Sequence, residues 1–264
     1  MLTSVKNPLV KHIKKLHQGK YRRSQQEFLL EGTHLIQEAL NVAYPLTTVC
    51  LTPDWQTKHP ELSTQLQHFA GSVIPVSPEV LAAIATTVTP DGIVAIAPFP
   101  VNHATLPLRP SLAIAFETLQ DPGNLGTVIR TAAAVGCDGL WLSANSVDPF
   151  HPKVLRASSG QWFRVPIATS AQIIPQISEW QAHGCQVLAT CVTDAQPYWN
   201  IDLRQPTVIL LGNEGAGLSE AALQASTQRI HIPMATSVES LNVGVAAAVI
   251  LFEAARQRAI ALSS

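Results

Sequence analysis

Val208-Ile-Leu-Leu-Gly-Asn-Glu-Gly-Ala-Gly-Leu218, followed by Ile230-His-Ile-Pro-Met234 and Ser240-Leu-Asn-Val-Gly-Val-Ala246, decides how this chain is read. The apolar run Val208 to Leu211 has the composition of a buried strand. It breaks at Gly212-Asn213-Glu214-Gly215-Ala216-Gly217, whose glycines let backbone approach a ligand closely. A second short strand, Arg229 to Ile232, stops at Pro233. Ser237 or Ser240 can then cap a long final helix in which Leu241, Val245, Val249 and Phe252 recur on one face. Two strand ends and a helix start therefore converge, and in open α/β sheets such strand ends are where ligands bind.

Working outward, the same alternation extends upstream. Strands are predicted at Leu112 to Phe116, Leu140 to Ser143, Val165 to Ile167 and Gln186 to Ala189, with helices at Leu125 to Val135, Lys153 to Ala157 and Gln172 to His183. Strands alternating with helices specify an α/β fold with a mostly parallel, doubly covered sheet. This second domain is expected over 111–264. It is preceded by a semi-extended linker over 98–110, where four prolines fall in thirteen residues. Residues 1–97 read as a smaller α/β unit. A helix starting at Asn7-Pro8 and ended by Gly19 is followed by strands at Phe28 to Leu30, Thr47 to Leu51, Ser72 to Val76 and Gly92 to Ala97. Further helices are expected after Gly32, at Glu61 to Phe69 and at Pro78 to Ala85.

The 264 residues are 47% apolar and 13% charged, without an uninterrupted apolar span near the ~20 residues a bilayer requires. Lysines at 6, 11, 14 and 15 interrupt any signal-peptide core, so a cytoplasmic protein is expected. Cys50, Cys137, Cys185 and Cys191 lack CxxC spacing and no HExxH occurs, so neither a disulfide framework nor a metal site is expected. Net charge is −1, yet Lys6, Lys11, Lys14, Lys15, Lys20, Arg22 and Arg23 all precede the first acid, Glu27. The ten remaining bases stand against all 18 acids, and a basic arm on an acidic body suggests a polyanion partner.

Asp121-Pro-Gly-Asn-Leu-Gly126 leads into a helix bearing Arg130 and Thr131, with Asn124 suited to its N-cap. Glu214 in the glycine loop can bind a ribose hydroxyl, polarise a nucleophile or satisfy backbone amides. Ser240 and Asn242 place a hydroxyl and an amide beside a helix start. Neither a GxGxxG fingerprint nor a GxxxxGK[ST] loop occurs, which speaks against dinucleotide or ATP binding.

Taken in order, Asp121 to Gly126 with Arg130-Thr131-Ala132, Leu211 to Gly215, and Ile232-Pro233-Met234 with Ser240-Leu241-Asn242-Val243 resemble the three motifs of the SpoU (TrmH-like) RNA ribose 2′-O-methyltransferases of the SPOUT class. Phe28-Leu29-Leu30-Glu31-Gly32 behind the basic arm resembles the substrate-binding domain, L30e-like in fold, often attached to them. The resemblance implies a catalytic domain tied into a deep trefoil knot, an exception to the unknotted rule. It implies S-adenosylmethionine held by Leu211, Gly212, Gly217, Ile232, Met234 and Leu241. It assigns Arg130, Glu214, Ser240 and Asn242 to catalysis and makes Asn124 structural. RNA is the implied partner, ribosomal more than transfer RNA, gripped by Lys11, Lys14, Lys15, Lys20, Arg22 and Arg23 in a homodimer. The alternatives are a tRNA 2′-O-methyltransferase and a catalytically silent RNA-binding protein of the same fold. Arginine is a poor base, so phosphate, water or Glu214 is left to take the hydroxyl proton. Gln161 stands where many relatives have alanine and bears on the shape of the substrate side.

Overall fold

In the computed structural model, residues 1–100, 106–170 and 172–263 are described. Positions 101–105, in the middle of the expected linker, lie outside the described residues. The chain divides into two compact units, Met1–Asn102 with Asp148–Phe163, and His103–Val147 with Arg164–Ser264.

The first unit runs α1 (Pro8–Lys15), α2 (Gly19–Gln25), β1 (Glu27–Glu31), α3 (Thr33–Asn41), β2 (Thr48–Leu51), α4 (Pro53–Lys58), α5 (Pro60–Phe69), β3 (Val73–Pro75), α6 (Pro78–Ile84) and β4 (Ile93–Pro98). Proline stands at the first turn of α1, α4, α5 and α6, where its missing N–H is no loss. Asn7, Thr52 and Ser77 cap three of these helices by accepting from Leu9 N, Trp55 N and Val80 N. The sheet order is β1-β4-β2-β3; β4 runs antiparallel to both neighbours, and β2 and β3 are parallel. Val10, Ile13 and Leu16 of the arm are buried with Val80, Ile84, Val94 and Ile96, so one side of α1 belongs to the core. The arm departs from expectation in one respect: α1 stops at Lys15, and Gly19 opens α2 instead of ending a helix. Arg22 causes the early stop, because its Nη1 donates to the carbonyls of Leu16 and His17, each at 2.9 Å.

A segment expected in the second domain also packs in this unit. It holds α8 (Pro152–Ala157) and a 3-10 turn, Gln161–Phe163. Phe28 of β1 meets Phe150 and Trp162 at ring-centroid distances of 5.1 and 5.3 Å, and Phe99 stacks on Phe150 at 3.8 Å. Arg156 Nη1 donates to the buried Glu31 carboxylate at 3.0 Å, which also accepts from Thr86 N and Thr87 N at 2.9 and 3.0 Å. Hydrophobic periodicity carries no information about such distant pairings.

The second unit contains β5 (Leu112–Phe116), α7 (Pro122–Ala134), β6 (Gly139–Ser143), β7 (Ile167–Ser170), α9 (Ile173–Ala182), β8 (Gln186–Thr190), β9 (Gln196–Pro197), β10 (Thr207–Leu211), α10 (Glu220–Ala225), β11 (Gln228–His231) and α11 (Val243–Ser263). Its sheet has the order β7-β6-β5-β10-β8-β11-β9, with every neighbouring pair parallel. Every residue of β5 and β10 is buried, as a strand covered on both faces requires. Ala113, Ala115, Val208 and Leu210 form a cluster with Ile177 and Trp180 of α9 and Ala222 of α10. Asp121, not Asn124, caps α7: its Oδ1 accepts from Gly123 N at 2.6 Å and Asn124 N at 3.0 Å, with Pro122 at the first turn.

The last helix corrects two expectations. Asn242, rather than Ser237 or Ser240, caps α11, accepting from Gly244 N at 2.9 Å and Val245 N at 3.3 Å. The stripe Leu241, Val245, Phe252 is the outer face, with 38, 48 and 55% of each residue exposed, while Val243, Ala247, Ile250, Leu251 and Ala254 are buried. This alanine-rich helix is apolar nearly all round, so spacing alone does not select the inner face, and the small side chains allow the closer approach.

Candidate active site

A cavity of about 690 Å3 opens in the second unit where β8, β10 and β11 end and α11 begins. Its size lies in the ordinary range for small-molecule sites, and its position is the carboxyl edge of a parallel sheet. Leu211, Gly212, Gly217, Ile232, Met234 and Leu241 line it together, as do Glu214, Ser240 and Asn242. Arg130 does not. It is exposed on α7, six residues beyond Asn124, or about 9 Å along the helix axis.

The glycine loop is tightly closed. Asn213 and Gly217 exchange backbone hydrogen bonds of 3.0 Å each way. Asn213 Oδ1 accepts from Gly215 N and Ala216 N at 2.9 and 3.0 Å, and its Nδ2 donates to Thr118 O at 2.9 Å. A Cβ on Gly212 would lie 2.1 Å from the Gly217 carbonyl carbon, so the position excludes every side chain.

One hydrogen-bonded chain joins the three sequence motifs. The Glu214 carboxylate accepts from Gln120 N at 3.2 Å, Asp121 N at 3.0 Å and Asn124 Nδ2 at 3.1 Å. Asn124 Oδ1 accepts in turn from Asn242 Nδ2 at 2.9 Å, and Asn242 caps α11. Partial burial of Glu214 raises its proton affinity, but the amides of Asp121, Gln120 and Asn124 outweigh that and hold the carboxyl below its ordinary value. Asn124 thus links the motifs and does not begin α7. Glu117 performs a similar service for α10, accepting from Ser219 N at 2.7 Å and Ser219 Oγ at 2.8 Å.

The cavity wall also includes Thr190, Cys191, Thr193 and His231, which sequence reasoning missed. The end of β8 is the available signal, since it stops level with the other strands that border the cavity. Burial pushes the Cys191 thiol up, and its Sγ donates to Thr193 O at 3.2 Å, so it is no ready nucleophile.

On the arm, Lys11, Lys14, Lys15, Lys20 and Arg23 are exposed. Arg22 must be corrected. It is 2% exposed, its Nη2 and Nε pair with Asp148 at 2.5 and 3.0 Å, and its Nη1 is spent on two carbonyls. A guanidinium with its donors committed inside the fold is not offered to phosphate. Gln161 opens the 3-10 turn, and nothing around it explains the departure from alanine. No helix among the described residues is long and apolar enough to cross a membrane, and none of them form a group of three or more His, Cys, Asp or Glu suited to a metal ion.

Comparison with known proteins matches residues 111–252 to the SpoU rRNA Methylase family and residues 7–95 to the MRM3-like substrate binding domain. An uncharacterized tRNA/rRNA methyltransferase of Synechocystis is 44% identical over 97% of this chain and 94% of its own length. The 23S rRNA (guanosine(2553)-2′-O)-methyltransferase RlmP of Bacillus subtilis is 34% identical over 95% of this chain and 97% of its own length. Among solved structures, the AdoMet-bound rRNA methyltransferase of Sinorhizobium meliloti superposes with a TM-score of 0.84, at 32% identity and 97% coverage of both chains.

Proposed function

The chain belongs to the SpoU rRNA methylase family, and on that premise we propose how its cleft and its basic arm divide the work of RNA methylation. The protein is an S-adenosylmethionine-dependent RNA ribose 2′-O-methyltransferase. Its substrate in this reading is ribosomal RNA, as for the Bacillus relative, and it works in the cytoplasm. The observation that carries the reading is the chain Glu214, Asn124, Asn242, which closes three sequence-distant motifs around one cleft.

S-adenosylmethionine fits the residues present. Leu211, Ile232 and Leu241 suit a flat purine, and Gly212 and Gly217 bring the closed loop up to the same cavity. When bound, it supplies an electrophilic methyl group carried on a sulfonium. The remaining task is to align the ribose 2′-oxygen and remove its proton. Arg130 cannot accept that proton; it pins the neighbouring phosphate and stabilises the developing oxyanion. Glu214, with three N–H donors on its carboxylate and a lowered proton affinity, is a positioning residue, which leaves substrate phosphate or solvent as the acceptor. Asn242 also positions, and Ser240 offers its hydroxyl to the substrate side. Residues 1–97 form the RNA-binding part, gripping phosphate through Lys11, Lys14, Lys15, Lys20 and Arg23. Residues 111–264 form the catalytic part, its backbone knotted as in the SPOUT class. Two copies pair through the outer face of α11, since a large apolar stripe is seldom left to water.

The test is methyl transfer by the full-length protein from labelled S-adenosylmethionine to 23S rRNA and to bulk tRNA, followed by mapping of 2′-O-methyl sites. One modified ribose in the ribosomal RNA is expected. Transfer to tRNA alone would shift the substrate, and RNA binding without transfer to either would make the protein a silent binder.

A further inference from the structure

The lysine-bearing arm carries an aromatic ring that phosphate binding leaves unused. Tyr21 of α2 is partly exposed, with Lys20 Nζ 4.8 Å and Lys15 Nζ 5.7 Å from its ring centroid. The backbone that carries the ring is held in place. Val10, Ile13 and Leu16 bury the inner side of α1, and Arg22, next to Tyr21, is locked to Leu16 O, His17 O and Asp148. The His17 ring nitrogen Nε2 lies 2.9 Å from Ile84 O, which fixes the turn between the two helices. No acid precedes Glu27 in the sequence, its carboxylate lies 2.7 Å from His12 Nε2, and the Asp148 carboxylate is taken up by Arg22.

We propose that Tyr21, flanked by Lys15 and Lys20, is a stacking subsite for one unpaired nucleotide of the RNA, with the base on the phenol ring and its phosphates on the two ammonium groups. The proposal rests on the RNA-binding role given to the arm above. A cation over an exposed ring is held weakly, whereas an ammonium on phosphate also releases counterions, so the lysines exchange ring for phosphate and uncover its face. Every base has a face to stack, so the subsite tolerates any sequence. Bases within a duplex have no free face, so the ligand is a single-stranded segment, loop or bulge. The arm then contributes a preference for unpaired RNA in addition to charge.

The experiment uses the full-length protein and two probes of equal length: an unpaired oligoribonucleotide carrying 2-aminopurine, and a duplex. Binding is followed by anisotropy across a salt series. Tyr21→Ala and Tyr21→Leu should bind the single strand about tenfold more weakly with an unchanged salt slope, and should bind the duplex as wild type does. Tyr21→Phe should keep wild-type affinity. Lys15→Ala with Lys20→Ala should flatten the single-strand slope by about 0.7 for each ammonium–phosphate pair removed. 2-Aminopurine emission should be quenched by wild type and Tyr21→Phe but not by the aliphatic variants. Wild-type circular dichroism and an unchanged urea-unfolding profile certify that each variant is folded, the first unit included, and Tyr21→Leu serves if Tyr21→Ala is not. Wild-type affinity and quenching in the folded aliphatic variant would overturn the subsite while leaving the lysine grip intact. Failure of wild type to bind either probe would instead overturn the RNA role of the arm, and the subsite with it.

Discussion

Gly212 shows how little freedom the site has at the level of single residues. Its missing side chain is occupied by Gly217 and Leu218 backbone, with atoms 2.1 to 2.3 Å from where a Cβ would stand. Gly212→Ala must therefore push the loop away from β10. It should cost about 1–3 kcal/mol in urea unfolding, as overpacking does, and should abolish S-adenosylmethionine binding in calorimetry; wild-type affinity would show that the loop is not the cofactor wall. Arg130 presents the opposite case, an exposed side chain outside the cleft whose proposed contribution depends on planar geometry. Lysine keeps the charge but loses the two-pronged fork. Arg130→Lys should bind cofactor normally and turn over roughly 100-fold more slowly, the loss typical of one oxyanion donor. Near-normal single-turnover rates would remove Arg130 from the mechanism.

Among the elements, α11 carries two functions on two faces. Its N-terminus is fixed by Asn242 at the cleft, and its inner face packs through Ala247, Ile250 and Ala254. The outer Val245 and Phe252, each about half exposed, are the proposed seam between two copies. A charge placed there would have to be buried unpaired on assembly, so Phe252→Asp should shift the protein to monomer in sedimentation analysis. An unchanged dimer would move the seam elsewhere, and a wild-type monomer would end the proposal. The element also shows where sequence patterning fails. The four-residue recurrence of Leu241, Val245 and Val249 is real, but alanines opposite it bury equally well, and only packing partners decide which side turns inward.

At the scale of the molecule, Glu31 ties together parts of the first unit that are far apart in sequence. Burial alone would raise its proton affinity, but hydrogen bonds from Thr86 and Thr87 and the charge of Arg156 overcome this and hold the carboxyl below its ordinary value of 4.5. A carboxyl lowered in the folded state stabilises fully above its unfolded pKa, and the contribution is lost as pH falls through the folded pKa. Urea midpoints should therefore hold from pH 7 to about pH 5 and decline from about pH 4.5 downward. Glu31→Gln should lose about 2–3 kcal/mol at pH 7, because the glutamine NH2 would face the N–H and O–H donors of Thr86 or Thr87 where a buried carboxylate oxygen now accepts. It should then show a shallower acid decline. Parallel declines in wild type and variant would assign the acid sensitivity to other carboxylates.

Sequence by itself determined the alternating strands and helices, the edge of the second sheet where the cleft opens and the lysine-rich arm, because each rests on local signals: apolar runs ended by glycine or proline, and charge counted along the chain. It also assembled the cleft residues, from Leu211 to Leu241, since motif order needs no coordinates. Tertiary structure alone decided that Arg22 is an internal strut bonded to Asp148, that Asp148–Phe163 packs with the first unit, and that the stripe on α11 faces out. It also decided that Glu214 and Asn124 spend their polar atoms joining motifs. The common reason is that these outcomes depend on partners roughly 90 to 130 residues away or on the opposite side of a helix. A residue's type limits which bonds it can make, but only the folded chain determines which of them are used.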